Sequence, residues 1–384
     1  MTEVYAGAEN IITSLGFDTE ENIGNIIAGN SGIRTDQSMA YTPGPIPLSL
    51  TDRNRLDQNF EAGDNEQYTT LEQLFIQSIS KSLQQCRIDI SSPGCLFIFT
   101  TTKGNIELLN HRVSPDIPRG RINLMEMARQ ITAYFNHQHS PVIISNACVS
   151  GVTGLIYASR MIRSGKVRHV VVSGGDLISE FIVSGFQSFQ SLSQKACKPF
   201  DKNRDGLTLG EGCGTIILSG EKKVFDDADP IQVLAGAGSN DANHISGPSR
   251  TGEGLLIAIR HALELSGLTP RHIDTISAHG TATAYNDEME AKAFSSAGLG
   301  MVPLNSYKGY IGHTLGAAGV IETAISMNAL RKNMQFQSMG YEEHGVSQSI
   351  NIIKDTRSEE INTCLKTASG FGGSNAAVVL QKRS

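Results

Sequence analysis

The chain has 384 residues and a formal charge of −6, with 39% hydrophobic and 18% charged residues. That balance supports a packed core and excludes wholesale disorder, and a net acidic chain lacks the broadly basic surface that nucleic acid selects. Glycine, with 39 residues, is enriched at about 10% against ~7% on average, and it clusters beside His and Cys, as tight turns and close backbone approach to a ligand require.

The opening residues Met1 to Val4 have no basic or apolar leader pattern, so no signal peptide is expected. No run approaches the ~18 apolar residues of a membrane span, and a cytoplasmic protein is expected. The cysteines at 86, 95, 148, 197, 213 and 364 form no Cys-x-x-Cys pair, which reads as reduced thiols, mostly buried as small hydrophobes. A helix is expected over 20–28, closed by Gly29 and Asn30. Residues 36–68, with Pro43, Pro45 and Pro47, read as a polar surface excursion, followed by a helix over 70–86 and a strand over 95–99.

Residues 142–144 read as a buried strand and 145–148 as a turn, after which Val152, Leu155, Ile156, Ser159 and Ile162 recur at helical spacing. Gly165 closes that helix, and 169–173 reads as the next parallel strand. The acidic stretch 221–230 reads as a seam between halves. A second strand–turn–helix series covers 273–297 and includes His279; a third covers 302–330 and includes Lys308 and His313. Strands alternating with helices argue an α/β architecture with parallel sheet. No repeat of 20–50 residues is visible.

Cys148 sits where a strand turns into a helix, so its sulfur faces the positive end of a helix dipole, which favours the thiolate. With Ala147, Ser150 and Gly151 beside it, the turn resembles a nucleophile elbow built on cysteine; taken alone, it better suits a buried structural thiol, and the context of the two histidines reverses that. His279 and His313 also follow strand ends and are flanked by glycine, where open α/β sheets place ligands. No short Cys/His spacing suggests a metal site.

Four further segments are specific. Cys197-Lys198-Pro199-Phe200-Asp201-Lys202-Asn203-Arg204-Asp205-Gly206, with Gly210-Glu211-Gly212 behind it, resembles the signature of β-ketoacyl-acyl carrier protein synthases. His279-Gly280-Thr281-Ala282-Thr283 followed by Asp287 and Glu290, Asn305-Ser306-Tyr307-Lys308 with Gly312-His313, and Gly370-Phe371-Gly372-Gly373-Ser374-Asn375 are similar to the same family, in order from about residue 140 onward. The resemblance implies a thiolase fold of class α/β: two similar halves, about 1–220 and 221–384, each with a mixed five-stranded sheet layered between helices.

It also implies roles. Cys148 matches the acylated nucleophile, His279 and His313 the pair that promotes malonyl decarboxylation, and Lys308 an electrostatic and structural lysine. Phe371 matches a gate whose backbone N–H joins that of Cys148 in an oxyanion hole. Thr281 and Thr283 match contacts to the phosphopantetheine arm, and Glu322 a buried bracing glutamate. No cofactor or metal is implied beyond that arm, which belongs to the acyl carrier protein partner. Such proteins pair as homodimers or with a chain-length-type subunit. The implied reaction is decarboxylative condensation of an acyl thioester with malonyl-acyl carrier protein, in fatty-acid or polyene/polyketide synthesis.

The opening strand (Val4 to Glu9) and Ser145-Asn146 depart from the family pattern. A thiolase would need a second cysteine in the 370–375 loop, which holds Phe371 instead, with Cys364 upstream. A non-catalytic chain-length-type subunit would lack Cys148. A nucleotide-binding loop fails because Gly236-Ala237-Gly238 never completes its third glycine.

Overall fold

The computed structural model describes residues 2–37, 44–60, 67–110, 116–225, 229–242 and 247–382. The first five strands of its main sheet are β1 (Tyr5–Ile12), β2 (Cys95–Thr100), β3 (Val142–Ile144), β4 (His169–Asp176) and β5 (Gly212–Ser219). The next five are β6 (Ile231–Asn240), β7 (Thr275–Ser277), β8 (Leu304–Asn305), β9 (Thr363–Gly370) and β10 (Ser374–Gln381). Across the sheet the first set lies in the order β1-β5-β4-β2-β3 and the second in the order β6-β10-β9-β7-β8. Numbered within its own half, each set reads 1-5-4-2-3. In both, two antiparallel pairings are followed by two parallel ones. The halves join where Tyr5 and Ala6 pair with Gln232 and Ile231. The protein is therefore a duplicated topology, the thiolase arrangement, although no repeat is legible in the residues.

The helices complete the layers. Helix α1 (Thr70–Leu83) covers the outer face of the first half, and α3 (Glu253–Ser266) that of the second, with α4 (Ala284–Ser296) packed beside α3. Between the halves run α2 (Ser150–Arg163) and α5 (Ala318–Lys332), each touching strands of both sets. A helix inside a core must be buried all round, and every residue of α5 from Ala318 to Leu330 is. Its polar residues have partners: the Thr323 hydroxyl donates to Gly319 O at 2.6 Å, and Asn328 donates to Glu9 at 2.9 Å. The two central helices meet near their N-termini with glycine against glycine. A Cβ on Gly151 would lie 2.8 Å from Gly319 Cα and 2.7 Å from Val320 N. The backbone has no room for it, and this contact holds the start of α2, just after Cys148, against the start of α5, just after His313.

Several expectations need correction. Helix α1 carries a capping box between Thr69 and Glu72 but stops at Leu83 rather than 86. The chain leaves it there because Cys86 bridges to Phe225 and Arg87 N–H donates to Val224 O at 2.7 Å. Strand β3 is half-exposed, not buried, because it is the last strand of the sheet. The 36–68 excursion is partly core. Ile46–Ser49 pairs with Arg34–Gln37 and Leu209–Gly210, and Leu48 and Leu56 are buried. Pro43 and the rest of 38–43 and 61–66 lie outside the described residues, as do 226–228 of the acidic seam. The expected boundary at 220/221 falls in the link between β5 and β6. Among the described residues, no helix is long and apolar enough to cross a membrane.

Candidate active site

Cys148 stands at a strained elbow. Ala147 before it has φ +44°, a left-handed conformation that costs a non-glycine residue on the order of 1–3 kcal/mol and persists only where the surroundings enforce it. Here the Ser150 hydroxyl does so, donating to Ala147 O at 2.6 Å and accepting the Asn146 N–H at 2.8 Å. Helix α2 begins at Ser150, so its positive end lies at the sulfur. Burial opposes the ease of ionisation expected from that helix end. Cys148 is only 8% exposed, and burial pushes its thiol up to about 12 although the Lys308 charge pulls it down.

The two imidazoles converge on it. His313 Nε2 lies 3.1 Å from Cys148 Sγ, and the His279 and His313 rings meet edge to face at 5.1 Å between centroids. Their tautomers follow from what their other nitrogens accept. His313 Nδ1 accepts the Leu315 N–H at 3.3 Å. His279 Nδ1 faces the Lys308 ammonium, also at 3.3 Å, which can only donate. Each ring therefore carries its proton on Nε2. Burial first, and then the charge of Lys308, hold both histidines well below their ordinary pKa, so the neutral forms persist. The site thus holds two neutral N–H donors rather than a base. The thiol and the two rings also place one ligand atom each within 4.8 Å of one another, the reach of a small metal ion, which the long sequence spacings did not suggest.

Beneath the histidines lies a charge cluster. Lys308 Nζ sits 2.6 Å from Glu322 Oε1 and also donates to the His279 carbonyl. Lys366 Nζ is 2.6 Å from the other oxygen of Glu322. All three residues are fully or almost fully buried.

The loop bearing His279 is clamped by two buried acids. Glu290 accepts the His279 and Gly280 N–H groups at 2.8 and 2.6 Å, and burial with the neighbouring Asp287 pushes it up to about 7. Asp287 accepts the N–H groups of Thr281 and Phe200 at 3.0 and 2.7 Å. The 197–206 segment touches the site through this clamp, where Phe200 N–H donates to Asp287 and Arg204 lies 3.8 Å from it, and through Cys197, whose Sγ donates to Lys308 O at 3.3 Å.

Two cavities meet at Cys148, Phe186, Phe189 and Phe371. The smaller, about 350 Å³, is lined by His279, His313, Thr281 and Thr283, and the hydroxyls of the two threonines are 2.9 Å apart. The larger, about 1170 Å³, runs past Leu177, Ile178, Phe181, Ile182 and Leu315. Half-buried Phe371 stands between them, stacked on Phe186 at 5.8 Å and edge-on to Phe189 at 5.3 Å. Its neighbour Gly370 lies so close to the nucleophile that a Cβ there would be 3.0 Å from Cys148 N.

All eight residues singled out from the sequence are thus gathered here, around Cys148 or in the layer beneath it. Lys366, Phe186 and Phe189 were not foreseen. A lysine inside the run Cys364 to Ala368 was the available signal for the first, since an otherwise apolar strand seldom buries an unpaired charge. The i, i+3 phenylalanines of the helix Glu180–Ser188 and its cap were the signal for the others.

The chain matches two family descriptions, Beta-ketoacyl synthase, N-terminal domain, over residues 9–223 and Beta-ketoacyl synthase, C-terminal domain, over 231–342. It is 33% identical to 3-oxoacyl-[acyl-carrier-protein] synthase 2 of Rhizobium meliloti, covering 71% of this chain and 67% of that one. The synthase 2 of Vibrio cholerae is 28% identical, with 99% and 93% covered. A ketosynthase from Xenorhabdus doucetiae, solved in complex with its chain length factor, superposes with a TM-score of 0.87 at 24% identity, covering 100% of this chain and 98% of that one. A Burkholderia phymatum β-ketoacyl synthase gives 0.88 at 20% identity over 100% of both chains. The structural matches establish the shared fold.

Proposed function

The chain belongs to the β-ketoacyl synthase family, and from that premise we propose that Cys148 carries the acyl group while His279 and His313 act on the malonyl extender. The reaction is the decarboxylative condensation of an acyl thioester with malonyl-acyl carrier protein, in fatty-acid or polyketide synthesis. In the first half-reaction the Cys148 sulfur attacks the acyl thioester. The C–S bond to phosphopantetheine breaks, and the proton lost by Cys148 is matched by the one gained by the departing thiol. The helix end and the His313 N–H at 3.1 Å stabilise the developing thiolate that burial disfavours.

In the second half-reaction the bond from the malonyl α-carbon to its carboxylate breaks and CO₂ leaves. The electron pair forms an enolate whose thioester oxygen gains charge. The two Nε2–H donors are aimed where that charge develops, and such donors favour the transition state over the ground-state carbonyl. The α-carbon then attacks the thioester carbonyl on Cys148; as the tetrahedral intermediate collapses, its C–S bond to Cys148 breaks and the released thiolate takes up one proton from solvent to restore the thiol. We assign the oxyanion of that step to the backbone N–H groups of Cys148 and Phe371, supported by the contact of Gly370 with Cys148 N. The observation that carries the assignment is that both imidazoles, by their Nδ1 partners, carry the proton on Nε2 and converge on one thiol, His313 Nε2 at 3.1 Å and the three groups within 4.8 Å of one another.

The larger cavity is assigned to the acyl chain, and the smaller, with Thr281 and Thr283, to the phosphopantetheine arm of the carrier protein. The half-exposed edge strand β3 is where we place a second subunit, identical or of the chain-length type. Formation of β-ketoacyl product and CO₂ from acyl- and malonyl-carrier proteins tests the reaction. Its absence with intact, folded protein would refute it.

Phe371 at the junction of the cavities is assigned as the gate. Phe371→Ala should raise malonyl decarboxylation in the absence of an acyl primer relative to productive condensation, because the acyl cavity no longer closes when empty. Structures with and without an acyl group on Cys148 check this directly: an unmoved Phe371 in both would remove the gate and leave the oxyanion role standing.

A further inference from the structure

Lys366 is a buried charge that the chemistry above leaves unused. Its side chain on β9 is fully buried; its Nζ is ion-paired with Glu322 Oε2 at 2.6 Å and donates to Thr367 O at 2.8 Å and to the carbonyls of Ser277 and Ala278 at 3.3 Å. Three carbonyl acceptors and a carboxylate suit an ammonium, which only donates, and would leave the lone pair of a neutral amine facing oxygen. Burial and Lys308 push Lys366 down while Glu322 and Glu290 hold it up.

Glu322 thus serves two cations, one on each oxygen. One carboxylate between two ammoniums leaves a net positive charge in a water-poor interior, where charge acts over longer range than in solvent. The cluster is turned toward the reaction: Lys308 reaches His279 Nδ1, and Ala278, held by Lys366, immediately precedes His279. Glu290 and Asp287 are the acids on the far side of that loop, and both are raised by burial.

We propose that Lys366 is a positioning residue for the extender half of the reaction: by taking the second oxygen of Glu322, it leaves the Lys308 ammonium incompletely neutralised beneath His279, so that the site favours the anionic malonyl group and its enolate over a neutral acyl group. The proposal rests on the assignment of His279 and His313 to malonyl decarboxylation. It predicts that the two half-reactions separate by the charge of what each handles. Acyl transfer to Cys148 brings in a neutral group, whereas decarboxylation begins with a carboxylate and passes through an enolate.

The test uses the full chain as native protein, Lys366→Met and Lys366→Gln, with both half-reactions measured on each. Acyl transfer from an acyl-carrier protein is followed by the mass of the Cys148 adduct, and decarboxylation of malonyl-carrier protein by CO₂ release. Met removes charge and hydrogen bonds; Gln keeps donors for the carbonyls and removes only the charge. Both variants should lose on the order of tenfold or more in kcat/KM for decarboxylation, the scale of one charge acting at a screened interior site, while acylating Cys148 at close to the native rate. Unchanged decarboxylation in both, native decarboxylation in Lys366→Gln, or a parallel loss of both half-reactions would each overturn the proposal. Native protein that acylates but never decarboxylates malonyl-carrier protein would overturn the histidine assignment beneath it, a result distinguishable from the other three.

Discussion

Replacing Cys148 with alanine is expected to abolish formation of β-ketoacyl product, by roughly 10³-fold or more, the scale on which loss of a nucleophile acts in covalent catalysis. The expectation comes from geometry as much as family. Cys148 is the one cysteine placed at a strained elbow, before a helix start, against an imidazole N–H. Cys95, Cys197, Cys213 and Cys364 are buried in strands or turns. Iodoacetamide provides an independent check. Half-buried Cys86 is the most accessible thiol, so accessibility alone would label it first. If the helix end and His313 activate the thiol that burial suppresses, peptide mapping should find Cys148 alkylated ahead of Cys86. Full condensation by Cys148→Ala would dispose of the assignment.

Removing either histidine should act on the other half of the reaction. His279→Ala and His313→Ala each delete one Nε2–H donor, and loss of such a donor typically costs about 2.7–4 kcal/mol of barrier, at least about 10²-fold in malonyl decarboxylation. Acyl transfer to Cys148 should fall less. It should fall more for His313, which touches Sγ at 3.1 Å, than for His279. Acidity gives the sign of a second readout. The rings work as neutral donors whose Nδ1 atoms accept from Lys308 and Leu315. Because burial and Lys308 hold both well below 6.5, decarboxylation should persist as pH falls through 6.5 and fail only where the rings at last take up protons. Equal loss of both half-reactions in the variants would mean that the histidines serve only the thiol.

The parts of the site legible in the sequence were those where local backbone and chemistry coincide. Cys148, His279 and His313 each end a strand in a glycine-flanked turn, and that pattern is visible in one dimension. The tautomers were not legible, because they depend on Leu315 N–H and Lys308, partners that become partners only once the chain is folded. Lys366 was hidden for a related reason. Within a strand a lysine reads as solvent-facing, and only the placement of β9 between β10 and β7, with Glu322 of α5 beneath, makes it an interior charge. The duplication of the fold came only from the family resemblance and is not legible as a repeat of residues. It resides in strand order and direction, which very different residues satisfy: β4, with Val170 to Val172, and β9, with Leu365 to Thr367, are the strands that hold the same place in their halves. The 36–68 stretch misled because proline and polar content describe its sequence, whereas Leu48 and Leu56 and the Glu211 carboxylate that binds Arg53 at 2.8 Å anchor it to the core.

The central claim is that the acyl group is parked on Cys148 and released to a decarboxylated extender. It is tested most directly by mass spectrometry of the protein after incubation with an acyl-carrier protein, before and after addition of malonyl-carrier protein. The account predicts an acyl mass on the peptide containing Cys148, stable to isolation, that disappears on adding the extender as β-ketoacyl-carrier protein and CO₂ form in equal amounts. An acyl group found on another residue, or an adduct on Cys148 that persists while product accumulates, would contradict it.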